Sequence, residues 1–218
     1  MSHQAKALLV NAITFARVPL VLAWAGLAVW GTLGFAAASS RAAAVSVAAC
    51  AAMLLSGLSD LFDGQLARKW GVVSTLGKMA DPLMDKVFYI IAFPVLLWEI
   101  MAQGASAGGM PHALMMLVFA VVYFLRDTWV TFLRGVGAVY GADVSAMWLG
   151  KVRTALSFPC AGWVYVFLAF NAFLPAAWHR PWLVSCYVFE MLMLLLTVVS
   201  AVTYTRAYLP CLRRAVRG

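Results

Sequence analysis

Asp60, Asp63, Asp81 and Asp85 follow one another at intervals of 3, 18 and 4 residues in a chain with only 8 acidic side chains. Hard, oxygen-rich ligands of this kind suit Mg²⁺, Mn²⁺ or Ca²⁺, whereas zinc favours His and Cys. Four carboxylates can hold two such ions, the arrangement that clamps attacking and leaving oxygens in phosphoryl transfer. Without a cation between them they would repel, by about 4 kcal/mol for two charges 4 Å apart at an effective dielectric of ~20. The plain alternative is a set of helix caps paired with Arg68, Lys69, Lys78 and Lys86 in a wet loop. The spacing argues against it: Asp60, Asp63 and Gly64 share one helical face, and Gly77, Asp81 and Asp85 recur every fourth residue along another. Gly64 and Gly77 leave room for a ligand to approach backbone closely.

Two helices must hold these faces together, and the composition says where those helices lie. Hydrophobic residues make up 65% of the 218-residue chain, charged residues 11%, and the mean hydropathy is +0.91. That balance belongs to an integral membrane protein. Six apolar stretches approach the ~20 residues that cross a bilayer as a helix: roughly 14–32, 42–60, 82–103, 111–134, 150–172 and 181–204. The expected fold is therefore all-α, a six-helix transmembrane bundle in a single membrane domain over 1–218. Residues 1–13 form a juxtamembrane lead, 14–204 the bundle and 205–218 a basic tail. Gly31 to Arg41 and Gln103 to Pro111 are expected as loops.

The net charge of +8 does not point to nucleic acid, because the cations sort by membrane side. Of 16 Lys and Arg, Arg41 and Arg180 alone fall in the first and fifth connections, and none falls in the third. The positive-inside rule then places both termini and the aspartate-bearing connection in the cytoplasm, in a topology that fits a bacterial inner membrane. Arg213, Arg214 and Arg217 are suited to anionic membrane lipid. Cys50, Cys160, Cys186 and Cys211 lack metal spacing and are expected as structural thiols. His3, His112 and His179 are too scattered for a ligand set. Trp24, Trp30, Trp98, Trp178 and Trp182 are expected near the interfaces. Glu190, deep in the last stretch, is a functional candidate by position, although a neutral, protonated carboxyl or a buried partner is the favoured reading.

The stretch Asp60-x2-Asp63-Gly64-x2-Ala67-Arg68-x8-Gly77-x3-Asp81-x3-Asp85 resembles the signature of the CDP-alcohol phosphotransferases at each of its eight fixed positions. The resemblance implies a six-helix membrane enzyme, usually a homodimer, with its active site at the cytoplasmic face. It implies that Asp60, Asp63, Asp81 and Asp85 bind a pair of divalent ions, Mg²⁺ or Mn²⁺, and that Asp85 is the general base toward the acceptor hydroxyl. It also implies that Asp60, Gly64, Ala67, Arg68 and Gly77 line the CDP site, joined by Asn11 and Thr14 of a leading Asn11-x2-Thr14-x2-Arg17. That leading element, Gly77-Lys78-x2-Asp81-Pro82-Leu83-x-Asp85-Lys86 and Gly150-Lys151-Val152-Arg153-Thr154 are similar to the phosphatidylglycerophosphate synthases of the family. The donor implied is CDP-diacylglycerol and the acceptor sn-glycerol 3-phosphate.

A phosphate-bearing acceptor needs a cationic pocket beside the carboxylates. Arg126, Arg134, Lys151 and Arg153 lie on the right side to form one, Arg134 and Lys151 foremost; the alternative is that they enforce topology or snorkel to headgroups. Inositol phosphate, serine, choline and phosphatidylglycerol stay open as acceptors. A non-enzymatic cation-binding membrane protein is the competing class, although a transport path would place polar groups through the bilayer depth, where Glu190 stands as the deep carboxylate.

Overall fold

The structure, a computed structural model, describes residues 2–143, 145 and 147–217; for Thr75, Leu76, Lys78, Met79, Asp81 and Pro82 it describes the backbone alone. Six helices follow in order: α1 (His3–Gly34), α2 (Ser40–Trp70), α3 (Thr75–Gln103), α4 (Gly109–Val139), α5 (Trp148–Phe170) and α6 (Ala176–Arg217). Short 3-10 turns at Gly104–Ala107 and Asn171–Phe173 complete the described secondary structure. All six apolar stretches are helices long and apolar enough to cross a membrane. The protein is all-α and integral to the membrane.

The helices outrun the stretches that announce them. α6 alone has 42 residues, about 63 Å at 1.5 Å per residue against ~30 Å of hydrocarbon. Residues 3–13 and 205–217, set apart in the sequence as lead and tail, continue α1 and α6 without a break. The first connection shrinks to 35–39, where Ser39 caps α2 by accepting a hydrogen bond from the Ala42 N–H at 3.1 Å.

Helices that alternate in direction put the chain ends and the α2–α3 turn at one end of the bundle; Lys6 lies over the Trp70 ring at 5.9 Å. α1 runs along α2 and α3, and α6 along α4 and α5. Trp24, Phe93, Phe119, Phe167 and Met193 are fully enclosed where these helices meet. Trp24 is thus a core residue rather than an interfacial one, stacked near Phe88 and edge-on to Tyr165. On α2, Leu55 and Phe62 point outward, as a surface facing hydrocarbon should. The interior carries Thr14, Arg17, Asp63, Arg126 and Arg153 instead. Inward-facing charge within membrane helices is costly and marks sites of function.

Close approach at the aspartate end depends on a missing side chain. A Cβ on Gly137 of α4 would overlap ring carbons of Tyr208 on α6, whose hydroxyl donates to the Asp143 carbonyl at 2.7 Å and fixes the ring. Gly137→Ala is expected to destabilise the purified protein by about 1–3 kcal/mol through overpacking. Gly135→Ala, with open space around it, should change stability by at most ~1 kcal/mol. Thermal unfolding in detergent compares the two, and equal losses would contradict this packing.

Candidate active site

The α2–α3 turn is short because both helix ends are explicitly capped. Gly71 adopts a left-handed conformation at φ 64°, and the Val72 N–H reaches back to the Ala67 carbonyl at 3.0 Å, the bonding of a Schellman-type stop. Ser74 then caps α3, accepting from the Gly77 N–H at 2.9 Å. Four residues, 71–74, thus turn the chain and set the Asp60–Asp63 face beside the helix that bears Asp85. Arg68 folds back over Gly64, since a Cβ there would meet its guanidinium nitrogens at 3.8 and 3.9 Å. Gly77 backs onto the Asn11 Oδ1, which accepts from the Ser74 hydroxyl at 3.1 Å. Gly64, Ala67, Arg68, Gly77 and Asn11 therefore cluster around the turn.

Arg17 of α1 stands among the carboxylates. Its Nη2 meets the Asp60 Oδ1 at 2.5 Å and the Asp63 Oδ2 at 3.4 Å, and its Nη1 meets the Asp85 Oδ1 at 3.0 Å. Thr14, one turn earlier, donates to the Asp63 Oδ2 at 2.7 Å. Arg17 and Asp63 are buried, whereas the side chains of Asp60 and Asp85 are 47% and 39% exposed. Three carboxylates from two helices thus converge on one cation from a third. Arg17 shares the Asn11–Thr14 face, and the sequence reading gave it no role. Its signal was available: an arginine inside an apolar span needs a counter-charge.

Carboxylate oxygens are the donor type that hard divalent cations take, and here Arg17 supplies the positive charge on which three of them converge. Among the described residues, no three His, Cys, Asp or Glu side chains form a set for one ion. Asp81, expected as the fourth ligand, lies outside the described side chains.

All four expected phosphate-binding cations line a single cavity of about 750 Å³, which Asp85, Tyr89, Tyr123 and Tyr204 also border. The four differ in depth. Arg134 and Lys151 are exposed, while Arg126 and Arg153 are 7% and 2% exposed. Arg153 lies 4.2 Å over the Tyr123 ring and 3.3 Å from Asp127; Arg126 lies 5.1 Å over the Tyr204 ring and donates to the Ser200 hydroxyl at 2.5 Å. Arg126 Nε and Arg153 Nε and Nη1 have no hydrogen-bond partner, so part of each guanidinium's donor capacity is unspent. Asp127 holds the group together, reaching Lys86 at 3.4 Å and Arg126 at 3.5 Å as well as Arg153. Tyr204 and Ser200 on α6 had no signal in the sequence pattern. Tyr204 accepts the Met147 N–H at 2.8 Å and so anchors the start of α5.

A second cavity of about 370 Å³ is mostly apolar, walled by Leu54, Leu58, Phe88 and Phe158 with Arg17 and Asp60 at its polar end. The two cavities share Asp85, Tyr89, Thr154 and Ala155. Asp85 therefore stands on the border between an apolar groove and a cationic pocket.

Residues 7–203 match the family described as CDP-alcohol phosphatidyltransferase. The chain is 34% identical over 113 residues to the CDP-diacylglycerol–glycerol-3-phosphate 3-phosphatidyltransferase of Mycoplasma genitalium, covering 50% of this chain and 42% of that one. It is 29% identical over 119 residues to the protein of the same name from Escherichia coli, covering 54% and 59%. It is 40% identical over 47 residues, 22% of each chain, to the cardiolipin synthase (CMP-forming) of Streptomyces coelicolor. The matched stretches span less than two thirds of the length of these relatives.

Arg17→Met removes the shared counter-charge and leaves Asp63 buried without it. Breaking a buried pair costs about 3–5 kcal/mol; partial exposure of Asp60 and Asp85 should hold the loss near ~3 kcal/mol. Unfolding in chelator-containing buffer measures it, and wild-type stability in Arg17→Met would refute the convergence on Arg17.

Proposed function

The chain belongs to the CDP-alcohol phosphatidyltransferase family, and on that premise we propose that it transfers a phosphatidyl group from CDP-diacylglycerol to the hydroxyl of sn-glycerol 3-phosphate, releasing CMP. The observation that carries this reading is the position of Asp85 between the apolar groove and the arginine-lined pocket. A diacylglycerol moiety suits the groove, which keeps the tails in hydrocarbon while the pyrophosphate reaches the carboxylates. Asn11, Thr14, Gly64, Ala67, Arg68 and Gly77, with Asp60, are suited to the nucleotide: the small residues admit it, and the Arg68 guanidinium meets its phosphates.

Arg126 and Arg153, backed by Arg134 and Lys151, take the acceptor's phosphate monoester. Both guanidinium groups line the pocket, and Asp127 and the tyrosine rings fix their planes. Asp85 accepts the proton of the attacking hydroxyl. A new bond forms from that oxygen to the phosphatidyl phosphorus, the phosphorus–oxygen bond to CMP breaks, and CMP keeps the electron pair. Asp60, Asp63, Asp81 and Asp85 would hold two Mg²⁺ or Mn²⁺ ions, whose role when bound is to neutralise charge on the leaving CMP.

The excess of cations at the aspartate end supports a cytoplasmic site in a bacterial inner membrane, and the family resemblance supports a homodimer. Similarity to a cardiolipin synthase favours a second reading, in which phosphatidylglycerol is the acceptor.

Incubation with CDP-diacylglycerol, Mg²⁺ or Mn²⁺ and labelled acceptors, read as CMP release, tests the proposal. Glycerol 3-phosphate should support turnover; turnover with phosphatidylglycerol alone selects the second reading, and no CMP release with any acceptor overturns both. Asp85→Asn should lower kcat by about 10²–10⁴-fold, the usual range for a lost general base. Arg153→Gln should raise the KM for glycerol 3-phosphate by about 10–100-fold, since a hydrogen bond to a charged group contributes roughly 1.5–3 kcal/mol, while the KM for CDP-diacylglycerol stays near wild type. An unchanged acceptor KM would argue against a phosphate-bearing acceptor in this pocket.

A further inference from the structure

A third cavity, of about 400 Å³, lies at the opposite end of the bundle, between the ends of α1, α3 and α5 and the starts of α2 and α6. Glu99 lines it, 14 residues along α3 from Asp85 and hence about 21 Å away. This carboxylate is 2% exposed. Its Oε2 accepts from the Thr32 hydroxyl at 2.7 Å and from the Gln103 amide at 2.9 Å, and Gln103 is held in turn by Asn171 at 2.6 Å. Its Oε1 has no partner. A buried carboxylate oxygen without a donor leaves an expensive group unsatisfied and calls for a proton or a ligand.

The walls say which ligand would fit. Phe35, Tyr165 and Phe173 supply aromatic surface, Asn171 and Thr32 supply polar groups, and neither Lys nor Arg lines the space. Apart from the His179 imidazole, whose Nε2 meets the Ser106 carbonyl at 2.7 Å, the lining has no basic side chain to receive an anion. A carboxylate among aromatic rings is the chemistry that recognises an ammonium group. Arg41 and Arg180, the two cations of the first and fifth connections, are chain neighbours of the lining residues Ala42 and His179, which suits a headgroup whose phosphate stays at the rim.

We propose that this cavity is a binding site for an ammonium group, carried by an aminated lipid headgroup or by a small free amine, with the Glu99 carboxylate as its counter-charge. The site is separate from the aspartate end and stands or falls independently of the transfer reaction.

Thermal unfolding of the full-length purified protein in detergent tests it, with phosphatidylethanolamine, N-acetylated phosphatidylethanolamine or ethylammonium chloride added. Phosphatidylethanolamine should raise the unfolding temperature by at least ~3 °C when its concentration far exceeds Kd, and the N-acetylated lipid should not. A matching rise with ethylammonium assigns the site to free amines; a rise with the lipid alone assigns it to a headgroup. Glu99→Gln, which keeps the shape and removes the charge, should abolish the shift, and Ala42→Leu, which fills the cavity from its rim, should do the same if Glu99→Gln does not fold. The absence of any amine-dependent shift, an equal shift with the N-acetylated lipid, or a shift that persists in these variants would overturn the proposal and leave Glu99 Oε1 simply protonated.

Discussion

Meeting one guanidinium with three carboxylates, inside a bundle built for hydrocarbon, is the constraint on which the aspartate end depends. Arg17 and Asp63 are both buried, and neither charge is tolerable there alone. α1 must run against α2 and α3 for Arg17 to reach all three partners, so the network fixes the relative heights of three helices. The short capped turn at 71–74 serves the same end, because a longer connection would let the Asp60–Asp63 face and Asp85 drift apart. Asp60 and Asp85 stay partly exposed, which leaves the cluster open to ligands on its solvent side.

Around this network the bundle separates two environments. The apolar groove suits a lipid donor and the arginine pocket suits a small anionic acceptor, and Asp85 with Tyr89 forms the border. α6 contributes to the second environment from a distance in sequence: Ser200 and Tyr204 engage Arg126, and Tyr204 also anchors the first turn of α5, the helix that carries Arg153. Gly150 permits this approach, since a Cβ there would press on the Tyr204 hydroxyl and the Arg126 guanidinium. Far from the site, Glu190 meets His112 through its Oε1 at 3.2 Å within a fully buried pair, while its Oε2 has no partner, so it is one member of a pair rather than an isolated intramembrane charge.

Six helices and the aspartate motif were legible in the sequence because hydropathy and fixed spacing are local properties. Helix ends were not: α1 and α6 extend into polar sequence, where capping and packing decide and composition is silent. Arg134 and Lys151 ranked above Arg126 and Arg153 because a charge count reports membrane side but not depth. Arg126 and Arg153 lie deeper, Arg153 pointing inward against Tyr123 while Lys151, two residues earlier, faces out. Arg17 carried a usable signal in its apolar surroundings, whereas the roles of Tyr204 and Ser200 arise from packing between α4, α5 and α6 that no spacing encodes. Glu99 went unread because one carboxylate near the end of an apolar stretch resembles an interfacial residue until its burial is known.

The central claim is that donor and acceptor meet at Asp85 from opposite sides. An experimental structure of the protein bound to CDP-diacylglycerol and glycerol 3-phosphate, with Asp85→Asn used to hold both substrates, tests it most directly. The expected result places the acyl chains along Leu54, Phe88 and Phe158, the pyrophosphate beside Asp60 and residue 85, and the acceptor phosphate on Arg126 and Arg153. A nucleotide seated on Arg126 and Arg153, or acyl chains outside the groove, would contradict it.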